Sequence, residues 1–248
     1  MMKITVLEKS ASKASFLVSG AGATGTAVVN AARRAIIGQL ESFAVDQVTI
    51  YENNSALYDE YIAARIGLVP LSWEEDVSDD AKIALTLAAE GPCTVYSRDL
   101  KSTDEKIKPF FENIPIAVLG LDQKLRLEAV AVKGTAKKHA KFQCAHAAYA
   151  NLCKLTPAKK VDDELVIHDY PAREAGLSVE DFAKKHQELC NYNLEYVRVG
   201  EDEFKVETVD DAFIFSVESY NNVPAEQQFY RGVALVKSRL EALAKELK

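Results

Sequence analysis

The segment SFLVSGAGATGTAVVNAARRAIIGQL (15–40) joins an alternating strand pattern to a helical one through Gly20-Ala21-Gly22-Ala23-Thr24-Gly25. What this junction permits decides the fold class. A GxGxxG turn between strand and helix is where glycines let a pyrophosphate approach a helix N-terminus, and Glu52 ends the next strand, completing the context of a dinucleotide-binding fingerprint. Three features oppose that reading. The strand before the glycines alternates (Ala14, Phe16, Val18) and forms a hairpin with 3–8 (Ile4, Val6) across the turn-like Lys9-Ser10-Ala11-Ser12. The first strand of a parallel, doubly covered sheet would instead be nearly continuous in apolar residues. Arg33 and Arg34 stand in mid-helix, which suits an exposed contact face. The remaining chain also lacks the repeated strand–helix–strand rhythm of a doubly wound sheet. The glycines then make a flexible connection, and a dinucleotide-dependent oxidoreductase using the Gly20–Gly25 loop stands as the alternative function.

Along the chain, Val29, Ala32, Ile36, Leu40 and Phe43 recur at intervals of three and four, an apolar stripe on a helix over 26–43. A strand follows at 44–53. Ser55 is the expected N-cap of a short helix, ALYDEYIAARI, that Gly67 closes. KIALTLAAE, CTVYSRDL, IPIAVLG and KLRLEAVAV, punctuated by Pro and Gly, predict a β-rich insert over 81–132. From about Cys144 to Val197, short helical pieces and turns suggest a small separate module. Strand patterns return with FKVETV and AFIFSVESY. In the closing helix, AEQQFYRGVALVKSRLEALAKELK, Val233, Val236, Leu240, Leu243 and Leu247 are spaced 3-4-3-4. So narrow a seam suits packing on another helix, in this chain or a partner; a plain amphipathic core helix explains it equally.

The 248 residues, 48% hydrophobic, suffice for a substantial core in one or two domains. No window approaches eighteen apolar residues and MMKITVLEKS has no apolar h-region, so a cytoplasmic protein without membrane contact is expected. A net charge of −7 argues for protein contacts and against broad nucleic-acid binding. The four cysteines (Cys93, Cys144, Cys153, Cys190) form no CxxC pair, and no spacing fixes Cys153 with His146 or His168 as ligands. They read as ordinary thiols, and no metal site is expected. The histidines are scattered, no nucleophile motif accompanies them, and no catalytic residue is assigned.

Several segments, in order, resemble the alpha/D family of cellular RNA polymerase subunits. VVNAARRAIIGQL (28–40) is similar to the family's N-A-x-R-R helix, and IYENNSALYDEYIAARIGLVPL (50–71) to its N-x-S…D-E…R-x-G-L-x-P-L segment. GPCTVYSRDLKS, IPIAVLGLDQKLRLEAVAVKG, HAKFQCAHAAY and the final FIFSVESYNNVPAEQQFYRGVALVKSRLEAL look like the archaeal branch. The resemblance implies an α+β fold. A dimerisation domain would comprise 1–44 and 205–248, an insert domain 45–144 and 198–204, and a ferredoxin-like module 145–197. It implies a non-catalytic platform that heterodimerises with a small subunit L through Val29, Ala32, Ile36, Leu40, Val233, Val236, Leu240, Leu243 and Leu247. Arg33 and Arg34 match the family's paired arginines, one of which would meet the large catalytic subunit, and Asp59, Glu60 and Arg65 would lie in the region facing the second-largest polymerase subunit (called B) and the small subunits N and P. For the arginines the plain alternative is a solvated pair with partners one turn away; for 59–71 it is a capped surface helix and a buried LVPL strand. One departure is specific: only Cys190 matches a ligand position of the iron–sulfur module some members carry, Lys184 and Gln187 offering no thiolate, so no cofactor is expected. A generic α+β scaffold from an unrelated complex is the third reading.

Overall fold

The computed structural model describes residues 2–20, 22–157 and 204–247. They cluster into two units, Met1–Lys9 with Ala14–Arg33 and Ala148–Ser216, and Ser10–Lys13 with Arg34–Ala147 and Val217–Lys248. Among the described residues no helix is long and apolar enough to cross a membrane.

The first unit is built on a four-stranded sheet with order β1-β2-β10-β9. Strands β1 (Lys3–Lys9) and β2 (Lys13–Ser19) form the expected antiparallel hairpin, Lys3 opposite Ser19, with a bulge between Val6 and Glu8. Ile4 and Val6 lie opposite Val18 and Phe16, so the four share one sheet face. Leu152, Ala212 and Ile214 are buried together, with Leu7, Leu17 and Val209 packed against them.

The two strand patterns near the C-terminus are one strand, β10 (Phe204–Ser219), in which Asp211 takes φ 60°. The module expected from residue 145 begins as strand β9 (Ala145–Pro157), paired to β10. Its remainder, including Lys184, Gln187 and Cys190, lies outside the described residues.

Gly20 and Gly22 take φ 77° and 67°, a left-handed turn open to glycine. It leads through a 3-10 turn (Gly22–Thr24) into α1 (Gly25–Gln39). Gly25 is buried, and a Cβ there would stand 2.8 Å from Phe213 Cε2 and 2.9 Å from Asp211 Oδ1. A carboxylate therefore occupies the helix N-terminus where a pyrophosphate would have to lie. The strand after α1, β3 (Glu41–Asn53), belongs to a different sheet from β2, so α1 makes no crossover between neighbouring strands of one sheet. The dinucleotide alternative fails on both counts: Gly25 is packed against Phe213 and Asp211, while Gly20 and Gly22 make an exposed turn. Helix α1 stops at Gln39, four residues short of the predicted end, and Phe43 belongs to β3 (Glu41–Asn53).

In the second unit, β3 pairs antiparallel with β8 (Lys124–Thr135), β8 with β4 (Ile83–Glu90), and β4 briefly with β6 (Lys101–Ser102). A two-stranded ladder joins β5 (Cys93–Tyr96) to β7 (Pro115–Leu119). The alternation read in the sequence is the observed one. Ile83, Leu85 and Leu87 face the core with Leu125, Leu127 and Ala129, while Thr86, Ala88 and Arg126 face outward. Helix α2 (Asp59–Gly67) adds Ile62 and Ile66 to this core.

Its start differs from expectation. Tyr58 holds the cap position without a side-chain bond, because Asn53 organises the preceding loop instead. The Asn53 Oδ1 accepts from Ser55 N (3.1 Å) and Oγ (2.6 Å), and its Nδ2 donates to Leu57 O (2.9 Å) and Asp59 Oδ1 (2.7 Å). Gly67 is the last helical residue and Leu68, in right-handed geometry, is the C-cap, so no left-handed glycine closes the helix.

Helix α3 (Ala225–Glu246) ends the unit. It buries Ala225, Gln228, Phe229 and Gly232, and Arg239 donates to Gln39 Oε1 at the end of α1. Gln228 Nε2 donates to Asn221 Oδ1 (3.0 Å), while its Oε1 accepts from Arg231 Nη1 (3.1 Å). Arg231 in turn lies 4.7 Å from the centre of the Trp73 ring, which also contacts Phe43 at 5.5 Å.

Candidate functional site

The expected contact stripe separates into covered and uncovered parts. Val29, Ala32, Ile36 and Leu40 are buried within the chain. Val233 and Val236 are half-buried. Leu240, Leu243 and Leu247 are 61%, 51% and 79% exposed. Every described residue from Lys237 onward is exposed, and Arg239 marks the last side-chain bond from α3 to another element among the described residues. Leu240–Glu246 therefore extend about 10 Å beyond that anchor at 1.5 Å per residue. These leucines at 3-4 spacing are an exposed apolar row on α3, not part of the chain's own core.

A second uncovered row was not foreseen from the sequence. Met2, Ile4 and Val6 are all exposed, although Phe16 and Val18, opposite Val6 and Ile4, are buried. The alternation in 3–8 was visible; that β1 would be a sheet edge was not, because it depends on β10 pairing with β2 from two hundred residues away.

The charged candidates differ in how far they are committed. Arg33 Nε and Nη2 both donate to Asn30 Oδ1, at 3.2 and 3.0 Å, one turn back on α1. Arg34 is exposed and has no partner among the described residues. Asp59 is tied to Asn53 (2.7 Å) and, with Glu60, stands in the first turn of α2, where negative charge complements the helix dipole. Glu60 is exposed and unengaged among the described residues. Arg65 donates to the Pro115 carbonyl and lies 5.8 Å from the centre of the Tyr61 ring. In the LVPL segment Val69 and Leu71 are buried while Leu68 is exposed; Pro70 O accepts from Phe110 N at 2.9 Å. Asp59 and Arg65 thus hold α2 in place, while Arg34, Glu60, Tyr58, Tyr61 and Leu68 face outward.

The titrating groups point to structure rather than catalysis. Burial pushes the Cys144 thiol up to about 11, and its Sγ lies 3.8 Å from Gln228 Oε1. The Lys141 ammonium, hydrogen-bonded at 2.6 Å, holds the Asp46 carboxyl below its usual range. Among the described residues no three His, Cys, Asp or Glu side chains converge as metal ligands would.

The described residues form an antiparallel, β-rich fold that leaves apolar side chains of β1 and α3 uncovered. Residues 46–150 match the family described as RNA polymerase Rpb3/RpoA insert domain. It is 32% identical over 261 aligned residues to DNA-directed RNA polymerase subunit Rpo3 of Pyrococcus horikoshii, covering 100% of this chain and 98% of that one. It is 34% identical to Rpo3 of Natronomonas pharaonis (97% and 96% covered) and 35% identical to that of Thermococcus kodakarensis (92% and 90%). The chain belongs to the archaeal Rpo3 family, subunits of DNA-directed RNA polymerase that are not themselves catalytic. It therefore works alongside other polymerase subunits.

Proposed function

We propose that the chain is the assembly platform of its polymerase. It heterodimerises with the small subunit L and carries the second-largest polymerase subunit (called B) and the small subunits N and P. The observation that supports this best is the uncovered seam of Leu240, Leu243 and Leu247 on α3. Burying apolar surface contributes roughly 25 cal/mol per Å², enough for a few leucines to drive pairing. Val29, Ala32, Ile36 and Leu40 are buried within the chain and so are not offered as the outer face of such an interface. Arg34 and Glu60 suit polar contacts with B, N and P, since exposed guanidinium groups bind carboxylates bidentately.

In this reading the dimerisation domain is 1–44 with 205–248, the insert 45–144 with 198–204, and the module 145–197 holds no iron–sulfur cluster. The protein works in the cytoplasm, and its net charge of −7 leaves little role for direct DNA or RNA contact. Co-expression with subunit L tests the platform: a stable one-to-one complex is expected, lost in the Leu240→Asp/Leu243→Asp double variant. Survival of the complex in that variant would show that the seam is wrongly placed. Visible absorbance in anaerobically purified protein would overturn the cluster-free module.

A further inference from the structure

A cavity of about 160 Å³ lies within the second unit, among the start of β3, the LVPL segment, the 3-10 turn Ala140–Phe142 and Tyr220–Asn221. Its apolar walls are Phe43, Leu68, Pro70 and Leu71. The volume matches the roughly 150 Å³ engineered cavity that takes up benzene, so a single ring fits.

The polar lining divides by commitment. Ser42 Oγ donates to Phe142 O, and Cys144 Sγ lies 3.8 Å from Gln228 Oε1. Lys141, the one charged residue of the lining among the described residues, is hydrogen-bonded to Asp46 at 2.6 Å. A charged guest therefore finds no free counter-charge. Three side-chain atoms of lining residues have no hydrogen-bond partner among the described residues: Gln143 Oε1, Tyr220 Oη and Asn221 Nδ2. Asn221 is 5% exposed, and its Oδ1 accepts from Val223 N (3.1 Å) and Gln228 Nε2 (3.0 Å), which fixes Nδ2 as the unpaired end of the amide. An unmet acceptor beside unmet donors is answered by a hydroxyl, which donates and accepts at once. Ring and hydroxyl together make a phenol.

The rim decides where that phenol comes from. Leu68 lines the cavity and is itself 63% exposed. Tyr58 and Tyr61, also exposed, precede it by ten and seven residues and share its side of α2. An exposed aromatic and aliphatic row running into a ring-sized cavity is the arrangement of a protein contact, an anchor pocket with a surround that excludes water. A free small molecule would leave the row uncovered.

We propose that this cavity receives the side chain of a tyrosine presented by another polypeptide, its ring against Phe43, Leu68 and Pro70 and its hydroxyl among Gln143, Tyr220 and Asn221. The proposal does not rest on the α3 seam or on the pairing with L.

The test titrates the isotope-labelled full-length chain with N-acetyltyrosinamide, a tyrosine flanked by two amide groups, and follows the backbone amides by NMR. Parallel arms use N-acetylphenylalaninamide, the phosphorylated tyrosine compound and p-cresol. N-acetyltyrosinamide and p-cresol are expected to shift the amides of Leu68, Gln143 and Asn221. The tyrosine compound should bind about fivefold more tightly than the phenylalanine one, the worth of one net hydrogen bond, and the phosphorylated one should not bind. Leu68→Glu, a change of an exposed side chain, should weaken binding by about fivefold or more. The proposal is overturned if no arm shifts these amides, which leaves the cavity to water. It is also overturned if p-cresol binds and N-acetyltyrosinamide does not, since the guest is then a free small molecule. Equal binding of the phenylalanine or phosphorylated compound, or unchanged affinity in Leu68→Glu, overturns it as well.

Discussion

Gly232 of α3 faces Ile36 of α1 so closely that a Cβ at position 232 would overlap Ile36 Cγ1 and stand 3.2 Å from its Cδ1. The missing side chain is what lets these two helices meet at this level. Helix propensity alone favours Ala over Gly by about 1 kcal/mol, whereas overpacking a buried contact costs about 1–3 kcal/mol. Gly232→Val should therefore lower stability by about 1–3 kcal/mol, and Gly232→Ala by less. Thermal unfolding measures both. Adding Ile36→Ala to Gly232→Val should recover part of the loss, since residues in contact are coupled.

The two halves of α3 should respond oppositely to substitution. Phe229 is buried, and Phe229→Ala should cost about 3–5 kcal/mol. Leu240→Asp and Leu243→Asp, at exposed positions, should change the stability of the isolated chain by no more than about 0.5 kcal/mol. Denaturant titration of the three variants checks the contrast. A large loss at Leu240 would mean that the chain already covers its own seam.

Cys144 makes stability fall in alkali. Its thiol, ordinarily at 9.0, is pushed up to about 11 by burial. The folded state therefore keeps a proton that the unfolded chain releases. The contribution is fully present below pH 9.0 and is lost as pH rises towards about 11. The shift corresponds to roughly 2–3 kcal/mol. Cys144→Ala should flatten that part of the stability profile relative to the parent chain. In thiol labelling near pH 8, exposed Cys93 should react and buried Cys144 should not until unfolding.

Trp73, the single tryptophan, reports on the seating of α3. Arg231 lies over its ring and also donates to Gln228, and Lys133 approaches the ring at 5.5 Å. Arg231→Ala removes the stacking and one hydrogen bond, together about 1–3 kcal/mol. A red-shifted emission and a lower Tm are expected. Unchanged emission would mean that the stack does not persist in solution.

The elements with strict periodicity were legible: the β1–β2 hairpin, the alternation of β4 and β8, and a C-terminal helix starting at Ala225. What misled was periodicity running through a boundary. Leu40 and Phe43 continue the α1 spacing, yet Phe43 is buried from a strand, because both elements present apolar residues to an interior. Ser55 has good capping chemistry but is captured by Asn53, a side chain-to-loop choice that no spacing rule exposes. Asp211 divides one strand into two apparent ones because its positive φ interrupts the alternation. Of the site, the 3-4 seam was readable as a pattern. Its division into a seated and a projecting half was not, since that depends on where Gly232 allows α1 to approach.

The projecting tip of α3 carries a further consequence. Leu240–Glu246 continue a 22-residue helix whose seated half supplies the nucleus, so the tip needs only propagation. With every side chain there exposed, it is also the part of α3 that opens at least cost, and its amides should exchange faster than those around Phe229.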